Sequence, residues 1–457
     1  MLRQSDVFSL PTAAEVDVLV VGGGPAGVGA AFSAARRGAK TLIVEQFNCL
    51  GGVATAAGHG HISKYDDEGL GNRIVGGIAN EIADRVVKAG IGIRDSRGIM
   101  FEVEGLKFLL EQMAGESQTE LLYHTFFCDS IVEDATITGA VIQNKNGRQI
   151  IRAKRVVDCT GDGDVSFHAG CEYEVGRAKD QRCQPVTLMF TIGGVDWDKT
   201  WNFRTQYIQR HDGARDAWKL EEVYAEAVRN GDMRPFQTGN MGWWWTPTRP
   251  DQVGINFTHV IHIDSTKAEE LTQATMEARK QAYETIAVYR KYIPGMEKCY
   301  MVSTPNTIGI RETRRILGEY VLNEEDLKNQ RTFADAICYG AFFVDIHNID
   351  GPGMDPTIWH PPKGFKYQIP YRSLVPRRIE NLLVAGRCIS CTHIALGSIR
   401  VMVQCLATGE ASGTAAALSL TSGLQPRQLD VGKLQEQLRK QGGIIDSQDI
   451  ARYAKSQ

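Results

Sequence analysis

No stretch of this chain stays apolar for long enough to cross a bilayer, so a helical membrane span is not expected. The opening residues, MLRQSDVFSLPTAAEVD, lack the apolar core of a secretory signal, and a cytoplasmic protein is expected. Nor is there an excess of one charge: 51 Lys and Arg stand against 54 Asp and Glu, a net charge of −3. That balance gives no general attraction for nucleic acid or for an anionic membrane surface. The 10 cysteines are scattered, and Cys128, Cys159, Cys171, Cys338 and Cys405 have core-like neighbours. Such placement suits reduced buried thiols better than a disulfide framework. No cluster of His, Cys, Asp and Glu has the spacing of a zinc or iron site, so no metal is expected. Repeats of solenoid period and low-complexity tracts are also missing, and 457 residues are enough for two domains with sizeable cores.

What is present is concentrated first in Val16 to Glu45, VDVLVVGGGPAGVGAAFSAARRGAKTLIVE. The apolar run Val18 to Val21 has the β-branched character of a strand buried on both faces. Gly22, Gly24 and Gly27 then form G-x-G-x-x-G around Pro25 and Ala26, and an alanine-rich helix follows. The first glycine permits a tight turn, the second lets a pyrophosphate approach the backbone, and the third lets helix and strand pack closely. Unpaired N–H groups at the helix start would face the phosphates. A second apolar run, Thr41 to Val44, ends in Glu45. A carboxylate at that strand tip accepts hydrogen bonds from ribose hydroxyls and repels a 2′-phosphate, which selects FAD or NAD.

Residues 1–15 read as a polar lead-in containing Pro11. After Glu45, the segment QFNCLGGVATAAGHGHI is too small and flexible to build a core and suits a place where backbone approaches a ligand. Apolar spacing predicts helices over 72–90 and 103–114, then short strands with a hairpin turn at Asn146-Gly147. Val156 to Gly163 is another apolar strand running into a glycine turn, and Asn381 to Gly386 is a third. Between them, Val186 to Ile192 and Val253 to Ile263 read as strands and Thr266 to Tyr292 as a long helix. Trp197, Trp201, Trp243, Trp244 and Trp245 concentrate in the same region, which suits a substrate-covering domain, although aromatic packing alone would also account for them. Gly397 to Leu420 reads as a small-residue helix like the one after Gly27.

With all three glycine-terminated strands in place, the chain resembles the FAD-dependent oxidoreductases of the glutathione-reductase-like flavoprotein class. The resemblance rests on VVGGGPAGVGAA with Glu45, CLGGVAT, VVDCTGDGDV, IGIRETRRILGEY, NLLVAGRCIS, HIALGSIRV and GEASGTAAA. It implies an α/β fold: a discontinuous, Rossmann-type FAD-binding domain over 14–180 and 340–425, with a helical insert at about 60–118. An inserted α+β substrate domain would occupy 181–339 and a helical tail 426–457. By resemblance Gly22, Gly24, Pro25, Ala26 and Gly27 hold the pyrophosphate, and Glu45 with Gln46 the adenosine ribose. Gly51, Gly52 and Thr55 come near the pyrophosphate and ribityl chain, Thr160 and Gly161 line the adenine side, and Gly386 and Arg387 the ribityl side. A helix beginning near Ser398, with Gly397 and Ile399, would aim its positive end at the flavin N1–C2=O edge.

A disulfide reductase of this class needs a second G-x-G-x-x-G and an early cysteine pair, and neither is found. Cys388 and Cys391 form the one C-x-x-C and read as small buried residues, a dithiol beside the flavin being the alternative. Dehydrogenation requires a base for the substrate proton, and histidine is the usual one near neutral pH. His393, just before the flavin-facing turn, is the first choice and His61 the second, with His59, His347 and His360 also in range. Arg311, Arg314 and Arg315, read as one helical face, could bind a substrate carboxylate or form ion pairs with Glu312 and Glu319. Arg372 and Arg400 could contact substrate or brace a loop. The expected activity is oxidation of a small organic substrate, anionic ones included, with hydride transfer to flavin N5. A flavin-dependent reductase of an activated C=C bond, with Arg311 or Arg400 as acid, stays open, as does a subunit of an electron-transfer or binding complex. Oxygen, a quinone or a protein acceptor would reoxidise the flavin, and self-association into a homo-oligomer is compatible with the sequence.

Overall fold

The computed structural model describes residues 10–456, apart from positions 215, 247 and 357. Of the expected lead-in, residues 1–9 lie outside the described residues, and from Thr12 the chain is already in strand. The central strand β1 (Thr12–Val21) lies between β2 (Thr41–Val44) and β6 (Gly147–Asp158), parallel to both. Strand β3 (Glu120–Leu122) continues the parallel set beyond β2, and β4 (Phe126–Glu133) and β5 (Thr136–Asn144) form an antiparallel meander with β6. The meander turns at Asn144↔Gly147, where the hairpin is expected.

The seventh strand of this sheet arrives from the far end of the chain. Leu382–Val384 (β12) pairs in parallel with Val156 to Asp158, so three glycine turns emerge from one sheet edge. Val18, Leu19, Val20 and Val21 of β1 are all buried, each worth about 1.5–3 kcal/mol when fully removed from water. Helix α1 (Pro25–Arg36) packs on the long helix α6 (Met402–Ser422) at backbone distance. A Cβ at Gly409 would lie 2.0 Å from the Ala26 carbonyl oxygen, and one at Gly413 would lie 1.9 Å from that of Ala30. This contact joins segments nearly four hundred residues apart and explains the small residues of both helices.

Helices α2 (Gly77–Lys88) and α3 (Val103–Ser117) lie where apolar spacing puts them. A second, smaller core lies between α4 (Ala268–Tyr292) and a four-stranded antiparallel sheet of β7 (Phe190–Gly193), β8 (Gly242–Thr246), β9 (Arg249–Asn256) and β10 (Tyr300–Ser303). Two expected strands are shorter than read: the first is regular only from Phe190, and the second stops at Asn256. Beyond those points the bridges Val186↔Val260 and Thr187↔Gly309 continue, and the Thr187 and Thr258 hydroxyls bond across to the backbone of the facing segment in place of a regular ladder.

GIRETRRILGEY is not helical. Arg314–Ile316 is a short strand, β11, paired with Tyr173 to Val175, and Arg311, Glu312 and Thr313 precede it in irregular backbone. Arg311 and Arg314 therefore do not share a helical face. Ile316, Leu322, Leu327 and Ala336 to Tyr339 pack in the larger core, so the expected boundary at 339 does not coincide with the edge of the smaller one. The helix expected from 397 is two helices: α5 (His393–Ile399) ends at Arg400, and α6 starts at Met402 with Val401 as its cap. The chain ends in α7 (Val431–Lys440) and α8 (Ser447–Ser456). Among the described residues no helix is long and apolar enough to cross a membrane.

Candidate functional site

The first turn of α1 has Gly24 as cap and Pro25 inside, with no capping side chain and no acidic residue, so its N–H groups face outward without an internal anion. Gly22 and Gly27 are required by the protein itself. A Cβ at Gly22 would lie 2.4 Å from the Cys159 carbonyl oxygen, and one at Gly27 would lie 1.8 Å from that of Gly22. Gly24 is different. Its φ of −66° suits any residue, and the nearest heavy atom to a Cβ there is the Gly52 Cα at 4.0 Å. Nothing in the chain excludes a side chain at Gly24, and the space beside it lies over an uncapped helix N-terminus, where a phosphate would sit.

Other segments close around this point. The Gly51 N–H donates to the Gly23 carbonyl at 2.8 Å, which sets Gly52 against Gly24. Glu45 lies under the turn, accepting the Gly23 N–H at 2.6 Å and the Phe47 N–H at 2.8 Å. Burial raises its carboxyl pKa, and each oxygen keeps a lone pair for a hydroxyl donor. Gly386 approaches the Ala26 methyl, and Gly161 lies against the Arg387 guanidinium. Arg387 is held by Asp162 at 2.8 Å and Thr313 at 2.9 Å. The Thr55 hydroxyl closes its own loop on the Leu50 carbonyl, the Thr160 hydroxyl donates to Asp158, and Gln46 is exposed. Ser398 contradicts its expected place at a helix start: it is buried inside α5, bonded to Tyr367 and to the Phe342 carbonyl, with Gly397 and Ile399 packed beside it. The uncapped N-terminus in this region belongs to α6, at Val401 and Met402.

His393 opens α5 with its Nδ1 2.8 and 2.9 Å from the two carboxylate oxygens of Glu312. Glu312 is wholly buried, also pairs with Arg315, and accepts the Gln184 N–H at 3.1 Å. A carboxylate on Nδ1 fixes a proton there and leaves Nε2 as a lone-pair base. No sequence signal links Glu312 to His393, 81 residues away.

The Gln184 side chain leads to a second group. Arg400 Nη2 is 3.0 Å from Asp345 Oδ2 and 3.5 Å from Gln184 Oε1. Arg311 donates at 2.7 Å to the Pro185 carbonyl and at 2.7 Å to the Thr187 hydroxyl. Burial, then the charge on Arg400, lowers the Arg311 pKa to about 9. His59 is held near 3 by burial, with His61, Arg311 and Arg400 adding to the shift, and its ring lies 4.9 Å from Trp244. His61, held near 4 by burial and Arg97, has a buried Nε2 without a partner among the described residues. His347 is pushed well below its usual value by burial and then by Arg311, and His360 lies against Phe343.

The remaining candidates are committed elsewhere. Arg314 pairs with Asp164 at 2.8 Å over the Phe167 ring, and Arg372 with Asp335 at 2.9 Å. Trp243 and Trp244 are buried in β8, and the Trp243 indole donates to the Tyr289 hydroxyl. Cys388 and Cys391 are buried free thiols whose pKa values are raised by burial, that of Cys391 to about 12. Among the described residues no group of three or more His, Cys, Asp and Glu is arranged to hold a metal ion.

The model of the FAD dependent oxidoreductase family matches residues 17–438. The chain belongs to that family. FAD is thus its cofactor, and this FAD dependent oxidoreductase offers a cradle that fits it: room at Gly24, an uncapped α1, and Glu45 below. The thiamine thiazole synthase of Aeropyrum pernix is 34% identical over 162 residues, which cover 33% of this chain and 56% of that protein. Digeranylgeranylglycerophospholipid reductase 2 of Methanothermobacter thermautotrophicus is 27% identical over 189 residues, 40% of this chain and 48% of that protein. The chain thus spans about half the length of the curated relatives it matches. A solved geranylgeranyl bacteriochlorophyll reductase-like protein of Thermoplasma acidophilum is similar with a TM-score of 0.46 at 14% identity, covering 93% of this chain and 84% of that one.

Proposed function

We propose that this FAD dependent oxidoreductase oxidises a small organic substrate bearing an H–C–OH unit, with His393 as the base. The supporting observation is the His393–Glu312 pair, a histidine whose Nδ1 is occupied by a fully buried carboxylate. FAD, when bound, supplies a two-electron acceptor. Gly22, Gly24 and Gly27 would seat its pyrophosphate on the α1 N-terminus, and Glu45 would take ribose hydroxyls.

The chain's own part is acid–base and electrostatic. His393 Nε2 takes the hydroxyl proton as the C–H bond breaks, and Glu312 steadies the imidazolium that forms. Arg315, paired with the same carboxylate, sets a positive charge against Glu312 in its buried setting. Arg400, linked to this pair through Gln184, and Arg311 would supply positive charge to an anionic substrate.

Anaerobic addition of small hydroxy acids, sugars, amines and NAD(P)H to the purified protein tests the proposal. Bleaching of the oxidised-flavin spectrum by a hydroxylated substrate, lost in His393→Asn with FAD retained, supports it. A flavin bleached by NAD(P)H alone would instead mean that the protein reduces its substrate. The observation favouring that second reading is Arg311, acidified to about 9 and so nearer to serving as a proton donor. Under it, Arg311→Lys would lose turnover and keep FAD.

A further inference from the structure

We infer that the buried group around Arg311 is a seat for a hydroxycarboxylate, with the carboxylate on the Arg311 guanidinium and the hydroxyl held among the unpartnered polar groups beside it. The inference rests on the oxidation reading for its place in the reaction, and on charge and hydrogen-bond bookkeeping for its chemistry.

Arg311 is only 7% exposed, and its two acceptors, the Pro185 carbonyl and the Thr187 hydroxyl, are neutral. Among the described residues no carboxylate lies within ion-pair distance of it. Asp345, the acidic group it feels, is 3.0 Å from Arg400. Glu312, next in sequence, is engaged by Arg315 and His393. Two guanidiniums therefore share one carboxylate, and the histidines that feel Arg311, His59, His259 and His347, are all held neutral by burial and by that charge. A buried cation without a counter-charge is costly, and an anionic ligand removes the cost.

The hydrogen-bond inventory narrows the ligand further. His259 Nε2 lies 3.1 Å from the Asn348 carbonyl and 3.0 Å from that of Gly351. Both carbonyls can only accept, so Nε2 carries the proton and Nδ1 presents a bare lone pair. That Nδ1 is buried with no partner among the described residues, and the same is true of Nδ1 in His347, whose ring lies 5.9 Å away. Gln184 Nε2 and Arg400 Nε are donors in the same state. The group thus has a spare positive charge, spare acceptors and spare donors. A carboxylate meets the charge, and a hydroxyl oxygen accepts from a spare donor while its proton stays available to His393. A 2-amino acid fits poorly, because its ammonium would enter a site with surplus positive charge and neutral histidines.

Calorimetric titration of the FAD-loaded full chain tests this, using glycolate, lactate, malate, 2-hydroxyglutarate and mandelate, each beside its amide, its deoxy acid and the matching 2-amino acid. At least one hydroxy acid is expected to bind about 30-fold or more tighter than its amide, the cost of removing one partner of a buried charge pair. The deoxy and amino acids should also bind more weakly. Arg311→Met should abolish the acid-over-amide preference and Arg311→Lys should restore part of it, with FAD content unchanged in both. Wild-type protein that binds no member of the panel, or binds acid, amide and amino acid within about threefold of one another, overturns the seat, and this comparison needs no variant to fold. Failure of the oxidation reading looks different: hydroxy acid bound with the expected preference but the flavin left oxidised supports the seat and ends that reading. Flavin bleached only by uncharged substrates overturns the seat and leaves oxidation standing.

Discussion

Replacing Gly24 by alanine separates what the chain needs from what its cofactor needs. A Cβ at this position has no protein atom nearer than 4.0 Å, and φ is −66°, so the folded apoprotein gains no clash and no backbone strain. Two small terms remain. Alanine restricts the unfolded chain and stabilises by about 0.4–1 kcal/mol, whereas alanine is a poorer helix cap than glycine by about 0.5–1 kcal/mol. They nearly cancel, and urea unfolding of the apoprotein should stay within about 1 kcal/mol of wild type. FAD affinity should not stay the same. The methyl group enters the space where the pyrophosphate meets the α1 N-terminus, and overpacking of one methyl costs about 1–3 kcal/mol, or roughly 5- to 150-fold in Kd. Gly27→Ala is the contrast: its Cβ falls 1.8 Å from the Gly22 carbonyl oxygen, and backbone must move, so stability and FAD binding should be lost together. Urea titration of the apoproteins, with FAD binding followed by quenching of flavin fluorescence, reads both quantities. Gly24→Ala binding FAD within about twofold of wild type would refute the assignment of that space to the pyrophosphate.

Three further outcomes follow from the same contacts. His393→Asn should lower kcat by about 10²- to 10⁴-fold while the flavin spectrum persists, and an unchanged kcat in stopped-flow reduction would move the base elsewhere. Glu410, buried in α6, accepts the Ile78 N–H at 2.9 Å, and burial raises its carboxyl pKa to about 8. Folded protein therefore keeps this proton where the unfolded chain has released it, so its contribution to stability is full below about 4.5 and falls as pH rises to about 8. Glu410→Gln, uncharged throughout, should gain on wild type across that window by on the order of a few kcal/mol, and a flat difference in urea unfolding between pH 5 and pH 8 would contradict this. Thiol labelling of the native protein should find Cys128, the one partly exposed cysteine, before Cys388 and Cys391, and early loss of the latter two would contradict their burial.

The nucleotide frame was legible because its signals are local. Three apolar strands each ending in glycine, a small-residue helix and Glu45 lie within short windows, and the strands pair where those windows put them. The polar site was only half legible. His393 and Arg311 could be singled out from residue type and neighbourhood, but what gives them their properties is tertiary. Glu312 reaches His393 across 81 residues, and Asp345 neutralises Arg400 while leaving Arg311 without a counter-charge. Local spacing also misled where tertiary pairing won: IGIRETRRI has the arginine spacing of a helix face, but Arg314–Ile316 is drawn into a strand against Tyr173 to Val175. The break between α5 and α6 was hidden for a related reason, since Gly397 to Leu420 is uniformly small and apolar and carries no stop signal at Arg400.

An absorbance spectrum of the purified protein, followed by anaerobic titration with a hydroxy acid, tests the central claim most directly. Oxidation of such a substrate by the FAD-loaded enzyme predicts an oxidised-flavin spectrum that bleaches on addition, with the bleaching abolished in His393→Asn. A spectrum that every substrate in the panel leaves oxidised would contradict it.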